Sequence, residues 1–353
     1  MNKELKKIFK LKLFSLTKKY KQKIFYSYFT RLTKHHVKNS KLYKNFFENI
    51  KFKNIYKNPV NLPPLHVSMF KNHELISVNI KNISSILTSS GTTTSLKSKI
   101  YIDEFNSKLQ KLVLLKLFSE NISNNKIPII FIESKNNVEN KYMSAKSAAL
   151  SGFSLFASKK HFILDDKNQI NYLALSEFTK NLNTSFLMFG FTFDVYENLI
   201  TKFKKSKKEF NFKNCILLHG GGWKKLENKK VDHDKFNRIL KEKFNFKKII
   251  NYYGLIEQAG SIFFSCDEND YFHVSNFSDI NILDEDLNEL PFNKKGIIQL
   301  KSLIPHSYPG HNILTDDLGV ILGEDDCSCG KKGKYFRIIG RLKNSELRGC
   351  SNV

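Results

Sequence analysis

Apolar residues in the first part of the chain recur with the period of a helix. Between residues 15 and 50, Phe25, Phe29 and Leu32 are spaced three or four positions apart, which places them on one helix face. Lysine and tyrosine residues occupy much of the opposite face. The pattern predicts that the chain begins with helices that bury this apolar face. A short strand is predicted next, at 66–70.

Further along the chain, short apolar runs alternate with segments of helical character. The runs are too apolar to have a solvent-exposed face, which is typical of strands buried in a parallel sheet. They predict strands at four places: 127–132, 186–189, 215–218 and 248–253. Helices are predicted at 106–121 and 145–157. The alternation predicts a mostly parallel α/β sheet, and shorter strand-like segments beyond residue 275 predict a β-rich subdomain.

The composition allows a large core and limits the classes of partner. The chain has 353 residues, 41% of them hydrophobic, and a formal net charge of +25. Its lysines are spread along the chain without an arginine-rich block, so we expect small anionic ligands and no nucleic acid. No apolar run approaches the ~20 residues of a membrane span. The odd number of cysteines, five, disfavours a disulfide framework, and we expect a cytoplasmic protein without a transmembrane segment.

A stretch rich in hydroxyl groups, residues 88–99, is the first candidate for chemistry. Its central residues are Ser89, Ser90, Gly91, Thr92 and Thr93. Consecutive backbone N–H groups, hydroxyls and an ammonium group can bind a polyphosphate, and a glycine lets the backbone approach it. A Walker A loop is excluded because it needs a second glycine directly before its Lys-Ser/Thr pair. Lys97 and Lys99 could each reach phosphate, with Lys99 favoured, and an exposed polar loop is the alternative interpretation.

Three further motifs lie next to predicted strands. The first is a run of three glycines, Gly220, Gly221 and Gly222. Such a run lets the backbone lie flat against a ligand. The second combines Tyr253-Gly254 with Glu257, an aromatic ring that can stack on adenine and a carboxylate that can hold Mg²⁺. The third, 315–319, offers carboxylates at a predicted turn, where Asp317 could accept both hydroxyls of a ribose or simply be solvated.

Together these motifs resemble those of the adenylate-forming superfamily, which includes acyl-CoA synthetases, adenylation domains and luciferases. The segment 89–93 resembles its phosphate loop, 253–257 its adenine and magnesium motif, and 315–319 its ribose motif. Gly340 and Arg341 resemble its hinge motif, and all four motifs follow in the family's order. The resemblance implies the α/β fold of the superfamily's large N-terminal domain, with ATP and Mg²⁺ as cofactors and Arg341 among the nucleotide contacts.

The chain is more closely similar to the LuxE-like acyl-protein synthetases of bacterial bioluminescence operons, over nearly its whole length. The similarity rests on stretches at 143–156, 219–224, 257–262 and 340–351. In that family, ATP activates a fatty acid to an acyl-adenylate, and the acyl group passes to a cysteine near the C-terminus. A partner such as a fatty acid reductase then receives it. The resemblance implies that Cys350 is the acceptor thiol, and a spare terminal thiol is the alternative.

The resemblance also implies a domain organisation. We expect a helical segment at 1–60, an AMP-binding domain at 61–339, and a hinge with a C-terminal tail at 340–353. Because the chain stops just after the hinge motif, the C-terminal domain of ordinary superfamily members is expected to be absent or vestigial. The lysine that assists adenylation in that domain would be missing, so Lys224 is the candidate substitute, with a surface lysine as the alternative interpretation.

Two departures from the superfamily pattern leave other functions open. Thr94 stands where glycine is usual, and Ile256 stands where threonine or serine is usual. One alternative is a related ligase that delivers its acyl group to CoA or a carrier protein, for example in surface-polysaccharide synthesis. Another is a scaffold that keeps the fold without catalysis. For the acyl site we expect a lining of Phe189, Phe191 and residues 148–153.

Four residues late in the chain form a candidate metal site. They are Cys266, His273, Cys327 and Cys329. Three thiolates and one imidazole make a closed tetrahedral zinc set. The related phenylacetate-CoA-ligase-like branch has a similar cysteine arrangement, which implies a structural Zn²⁺ between the Tyr253 motif and the β-rich subdomain. Buried free thiols with a surface histidine are the alternative.

Overall fold

The computed structural model describes residues 3–49, 62–89, 96–136, 145–180, 182, 184–203, 212–222 and 233–342. Contacts divide these residues into two compact units. The first contains the described residues within Met1–Ser89, Thr93–Glu120 and Gly254–Glu346. The second contains the described residues within Asn121–Tyr253. None of the helices in the described part of the chain is long and apolar enough to cross a membrane.

The first unit begins with the predicted helices, α1 (Lys3–Lys10), α2 (Lys18–Asn39) and α3 (Lys41–Asn49). The predicted apolar face of α2 is buried, since Phe25, Phe29 and Leu32 are at most 2% exposed. Packing of this face against the rest of the first unit stabilises the helix, which contains several aromatic and β-branched residues of modest helix propensity. The helical prediction for 15–50 is confirmed.

Four shorter elements and one long helix complete the N-terminal part of this unit: β1 (Leu65–His66), α4 (Met69–Asn72), β2 (Ile83–Thr88), β3 (Lys99–Asp103) and α5 (Glu104–Asn121). The strand predicted at 66–70 is wrong beyond His66, because the N–H of Phe70 bonds to the carbonyl of Val67 and the chain turns into α4. The helix predicted at 106–121 is confirmed as α5. Its start is capped by Asp103, whose carboxylate accepts the N–H of Asn106 at 2.7 Å.

The second unit is a parallel sheet with helices between its strands. Its elements are β4 (Ile127–Ser134), α6 (Ala145–Ser154), β5 (Ala157–Leu164), α7 (Tyr172–Lys180), β6 (Phe186–Phe191), α8 (Thr192–Asp194) with a π-helical continuation (Val195–Lys202), β7 (Cys215–Gly220), α9 (His233–Phe244) and β8 (Lys248–Gly254). The strands lie in the order β5-β4-β6-β7-β8. All four strands predicted from apolar runs are confirmed, and Cys215 is a fully buried core residue as its position in a strand predicts.

The predicted helix at 145–157 ends early, because β5 begins at Ala157. This strand lies at the edge of the sheet, and its first half, including Lys159 and Lys160, is exposed. An edge strand with solvated side chains has no continuous apolar run, so the sequence pattern did not reveal it.

The remainder of the first unit is the predicted β-rich region. Its strands are β9 (Ile262–Phe264), β10 (Phe272–His273), β11 (Ser278–Leu283), β12 (Gly296–Ser302), β13 (Asn312–Glu324) and β14 (Lys334–Arg341). The strands β10-β14-β13-β12-β11 pair antiparallel in that order, and β1 adds to β13 in parallel. The buried side chains of Ile280, Leu300 and Ile313 form part of its core. The domain boundaries expected at 60/61 and 339/340 stay predictions.

Candidate functional site

In the first unit, strands β2 and β3 pair on either side of the hydroxyl-rich stretch. Thr88 and Lys99 face each other as the last pair of the hairpin. Beyond them, the N–H of Ser89 donates to the carbonyl of Ser98 at 3.1 Å, and the N–H of Ser98 donates to the Ser89 hydroxyl at 2.9 Å. Ser90, Gly91, Thr92 and Thr93 lie outside the described residues. The structure therefore shows the two ends of the candidate phosphate loop held together, with the side chain of Lys99 exposed.

Glu257 contacts the base of this loop. It lies in a 3₁₀ turn (Ile256–Gln258), is only 3% exposed, and accepts a hydrogen bond from the Ser98 hydroxyl at 2.7 Å. The turn is fixed by Gln258, whose buried amide donates to the carbonyls of Leu300 and Gly310 at 3.2 and 2.9 Å. The candidate magnesium carboxylate and the candidate phosphate loop are thus brought together, although 159 positions separate Ser98 from Glu257.

The candidate ribose motif lies inside a strand and the predicted turn at 315–319 is wrong. The segment belongs to β13, which is hydrogen-bonded on both sides, with Leu318 opposite Ile297 of β12 and Gly340 of β14. Both neighbouring strands end alongside the motif, since β12 begins at Gly296, opposite Gly319, and β14 ends at Arg341, opposite Asp317. Between Leu314 and Leu318 the register with β12 is irregular, and such a bulge can redirect the side chains of Asp316 and Asp317.

Arg341 is held between the two adjacent carboxylates of this motif. Its Nε lies 3.1 Å from Oδ1 of Asp317, and one terminal nitrogen lies 3.6 Å from Oδ2 of Asp316. His66 of β1 reaches the other oxygen of Asp316 at 3.1 Å. Asp317 and Arg341 are also direct partners in the pairing of β13 with β14. The ribose motif and the hinge motif therefore meet in one network of polar contacts, which includes His66, a residue that the sequence did not single out.

The three glycines of the second unit adopt conformations that favour glycine. A Cβ on Gly220, the last residue of β7, would overlap the carbonyl oxygen of Tyr252. Gly221 has a φ of +84°, and its Cβ would lie 2.7 Å from the ring of Phe191. Gly222 has a φ of +73° with open space around it. The chain therefore turns at the end of β7 in a conformation that residues with a Cβ would strain. The backbone is accessible at Gly222. Lys224 lies outside the described residues.

Aromatic rings pack beside this run in the same unit. Tyr252 is stacked on Phe189 with ring centroids 6.0 Å apart, and Phe153 lies 4.6 Å from Phe189. Tyr253, the candidate adenine contact, follows at the end of β8 and is partly exposed. Phe189 and Phe191 are at most 2% exposed. Both are therefore part of the core of this unit, and their role in lining an acyl site stays a prediction.

The four candidate zinc ligands form one cluster in the first unit. Their ligand atoms all lie within 4.8 Å of one another, and Sγ of Cys329 is 3.3 Å from Nε2 of His273. Four ligand atoms arranged tetrahedrally around zinc at the zinc–sulfur distance lie roughly 3.8 Å from one another. The distances within this cluster therefore fit a zinc ion. His273 is fully buried, and its Nδ1 has no hydrogen-bond partner among the described residues. Burial lowers the pKa of His273 to about 3 and raises the pKa of Cys329 to about 12.

The geometry can be compared with known families. A family model described as "Acyl-protein synthetase, LuxE" matches residues 3–353. The chain belongs to this family. The long-chain-fatty-acid–luciferin-component ligase of Vibrio harveyi is 23% identical over 335 residues, which cover 90% of this chain and 83% of that ligase. The ligase of the same name from Aliivibrio fischeri is 28% identical over 180 residues, which cover 49% of this chain and 46% of that ligase.

Solved structures agree with this assignment at the level of fold. A 2-hydroxyisobutyryl-CoA ligase in its thioesterification state superposes with a TM-score of 0.72 at 12% identity, covering 94% of this chain and 70% of that one. The open conformation of the same ligase superposes with a TM-score of 0.69 at 13% identity, covering 92% of this chain and 70% of that one. The α/β fold of the adenylate-forming enzymes, with N-terminal helices and a β-rich region, is confirmed. The chain is an ATP-dependent ligase of the LuxE acyl-protein synthetase family.

This LuxE-family ligase also contains a buried charged group that the sequence did not reveal. Lys146 of α6 forms ion pairs with Glu133, near the end of β4, and with Asp194, just after β6, the latter at 3.3 Å. Burial disfavours the ammonium, but the charges of Asp194 and Glu133 outweigh burial and raise the pKa of Lys146. His219, near the end of β7, contacts the hydroxyl of Thr192 at 3.0 Å. A search for polar residues at predicted strand ends would have found Glu133 and His219, but only folding shows that Lys146 joins the carboxylates.

Proposed function

We propose that this ligase activates a fatty acid with ATP to an acyl-adenylate and then transfers the acyl group to the thiol of Cys350, for delivery to a partner such as a fatty acid reductase. The observation that supports the first step best is the contact between Ser98 and Glu257 in the first unit, because it joins the two motifs that must act on the same phosphates. The family supports the substrate class, since its relatives are named long-chain-fatty-acid ligases.

In the first step, a fatty carboxylate oxygen attacks the α-phosphorus of ATP and pyrophosphate leaves. Ser89 to Thr93 and Lys99 would bind the phosphates, and Asp317, oriented by Arg341, would accept the ribose hydroxyls. A Mg²⁺ ion held by Glu257 would neutralise charge on the phosphates. In the second unit, the roles inferred from the family motifs are stacking of Tyr253 on adenine, close backbone approach at Gly220 to Gly222, and polarisation of the carboxylate by Lys224.

In the second step, the Cys350 thiolate attacks the acyl carbonyl and forms a thioester. The bond from the acyl carbon to the AMP oxygen breaks, and AMP leaves with the electron pair. Arg348 stands two positions before Cys350 in the sequence, and a cation close to the thiol would favour its deprotonation. A nucleophilic group of the partner would then attack the thioester carbonyl and take up the acyl group, and the Cys350 thiolate would leave.

We also propose that the cluster of Cys266, His273, Cys327 and Cys329 holds a structural zinc ion. All four residues lie on the turns and strands at one end of the β-rich region, where Cys266 precedes β10 and the other two cysteines lie between β13 and β14. The ion would supply a closed tetrahedral crosslink between these turns. It would take no part in the acyl transfer, since all four ligand positions are occupied by the protein.

Labelled fatty acid and ATP test the acyl-transfer proposal. We expect label to remain on the protein, to be released by hydroxylamine, and to be absent in Cys350→Ala. Cys215→Ala is the matched control, because this buried core thiol should not affect labelling. Label found only on added CoA would support the alternative ligase and contradict transfer to Cys350. Absence of both label and fatty-acid-dependent pyrophosphate exchange would contradict the adenylation step itself.

A further inference from the structure

His66 is the last residue of the two-residue strand β1, which pairs in parallel with β13 in the first unit. The register places His66 opposite Leu314, and the N–H of Val67 extends the pairing by donating to the carbonyl of Leu314 at 3.0 Å. This pairing fixes the backbone from which the imidazole of His66 reaches the candidate ribose motif at 315–319. His66 belongs to none of the motifs that the sequence singled out.

The contacts of the imidazole define which of its nitrogens carries the proton. Nδ1 lies 3.3 Å from the backbone nitrogen of Ser68 and 2.7 Å from the hydroxyl of the same residue. A backbone N–H can only donate, so Nδ1 is an acceptor and the neutral imidazole carries its proton on Nε2. Nε2 lies 3.1 Å from Oδ1 of Asp316 and therefore donates to this carboxylate. Ser68 thus orients the imidazole, and Asp316 receives its proton donor.

Two adjacent carboxylates, those of Asp316 and Asp317, lie against the guanidinium of Arg341. The guanidinium is closer to Asp317, at 3.1 Å from Nε to Oδ1, than to Asp316, at 3.6 Å from a terminal nitrogen to Oδ2. The two carboxylate side chains are only 9% and 13% exposed, so water screens their charges weakly. A guanidinium beside two acids can move toward either of them. A neutral donor on Asp316, the more distant acid, therefore favours the position close to Asp317.

We propose that His66 is a positioning residue of the ribose site, an inference that rests on the proposed function. Its Nε2–H satisfies Oδ1 of Asp316, so that Arg341 stays on Asp317 and holds that carboxylate in the orientation that accepts the ribose hydroxyls. Without this donor, Asp316 would draw the guanidinium toward itself, and Asp317 would lose the partner that orients it. His66 acts through these side chains and makes no contact with the nucleotide.

This role predicts a defect that depends on the ribose hydroxyls, and calorimetric titration of the full chain with Mg²⁺ and nucleotide measures it. His66→Ala should weaken the binding of ATP about fivefold or more, because the hydrogen bond that is lost was made to a charged group. The binding of 2′,3′-dideoxy-ATP, which lacks both hydroxyls, should change by less than about twofold. A merely structural role would weaken the binding of both nucleotides equally.

Conservative variants test the position of the donor. Glutamine can place its amide nitrogen where Nε2 of His66 lies, whereas the shorter asparagine cannot. His66→Gln should therefore keep the wild-type preference for ATP over the dideoxy nucleotide, and His66→Asn should behave as His66→Ala does. In an Asp316→Asn background, His66→Ala should cause no further loss, because an uncharged amide does not compete for Arg341. His73→Ala, which removes an exposed histidine just after α4, is the matched control and should bind both nucleotides as the wild type does.

The role of His66 is wrong if His66→Ala binds ATP as the wild type does, or if it weakens the binding of both nucleotides equally. Should His66→Ala fail to fold, equal binding by His66→Gln and His66→Asn would overturn the role in the same way. A wild type that binds both nucleotides equally would overturn both this inference and the ribose contact of Asp317. A wild type that binds ATP but catalyses no fatty-acid-dependent pyrophosphate exchange would contradict the proposed function, and the two nucleotides would still decide the role of His66.

Discussion

At the scale of single residues, the most informative contact joins Ser98 to Glu257. Both side chains are at most 3% exposed, and their hydrogen bond is 2.7 Å long. The hydroxyl donor holds the orientation of a carboxylate that folding has removed from water. The sequence marked Glu257 as a candidate ligand of Mg²⁺, but it gave Ser98 no role, because the distance along the chain hides their contact.

Removing this hydroxyl should affect adenylation more than folding. We expect Ser98→Ala to lower fatty-acid-dependent ATP–pyrophosphate exchange about tenfold or more, since a hydrogen bond to a charged group contributes roughly 1.5–3 kcal/mol. Ser84→Ala is the matched control, because this hydroxyl lies on β2 and donates to a backbone carbonyl at 3.1 Å. An unchanged exchange rate in Ser98→Ala, or an equal loss in Ser84→Ala, would contradict the role of the contact.

The ion pairs of Lys146 give a second prediction at this scale. Lys146→Met should reduce the free energy of unfolding by about 3–5 kcal/mol, because it leaves Glu133 and Asp194 buried without their cation. Chemical denaturation measures the change. Lys160→Met, on the exposed half of β5, should change stability by no more than about 0.5 kcal/mol. A loss below about 1 kcal/mol in Lys146→Met would show that the carboxylates find other partners.

At the scale of elements, the cysteine cluster lies where the turn before β10 meets the turn between β13 and β14. They are short and carry few apolar residues, so a tetrahedral metal would contribute much of their stability. The sequence identified the four candidate ligands, and the pairing of β10 with β14 helps to bring them together.

Metal analysis tests the zinc proposal directly. We expect about one equivalent of zinc in the purified protein, and a lower melting temperature after treatment with a strong chelator. Cys327→Ser should lose the metal, while Cys215→Ala should keep it, because Cys215 lies in the core of the other unit. A zinc content below about half an equivalent in the wild type would count against the site.

Helix α2 also packs histidines against the segment between β12 and β13. His36 and His311 are stacked 4.6 Å apart and fully buried, and His35 is stacked on His306 at 4.1 Å. His36 contacts the hydroxyl of Ser77, and His311 contacts that of Thr33. Burial lowers the pKa of all four imidazoles, to about 3 for His311 and to about 4 for His306.

These shifts predict that stability falls in acid. The unfolded chain binds protons on these histidines below about pH 6.5, whereas the folded chain does not, so the full contribution is present above pH 6.5 and is lost as pH falls toward 4. His311 alone should account for about 1 kcal/mol between pH 6 and pH 5. Chemical denaturation at several pH values measures this change. The free energy of unfolding should fall less steeply with falling pH for His311→Gln than for the wild type or for His73→Gln, a variant of an exposed histidine. Equal slopes would contradict this account.

At the scale of the whole molecule, the predictions of family and fold from the sequence alone are confirmed, and the roles of the candidate site residues stay predictions. Four buried strands could be predicted because each is a continuous apolar run. The N-terminal helices could be predicted from the helical spacing of their apolar residues. The sequence did not predict the edge strand β5 or the position of Asp317 inside a strand. Both depend on which strands from distant parts of the chain become neighbours. The sequence identified the candidate site residues but not the residues that contact them.

The order of the residues thus determined which segments become helices or buried strands and which side chains can serve as donors, carboxylates and thiols, because periodicity and chemical type are local properties. Tertiary structure alone decided that Ser98 contacts Glu257, that Arg341 pairs with Asp317, and that Lys146 pairs with two carboxylates. The reason is physical: a contact or a desolvated charge is set by the groups that folding brings within a few ångströms, and separation along the chain does not encode that distance.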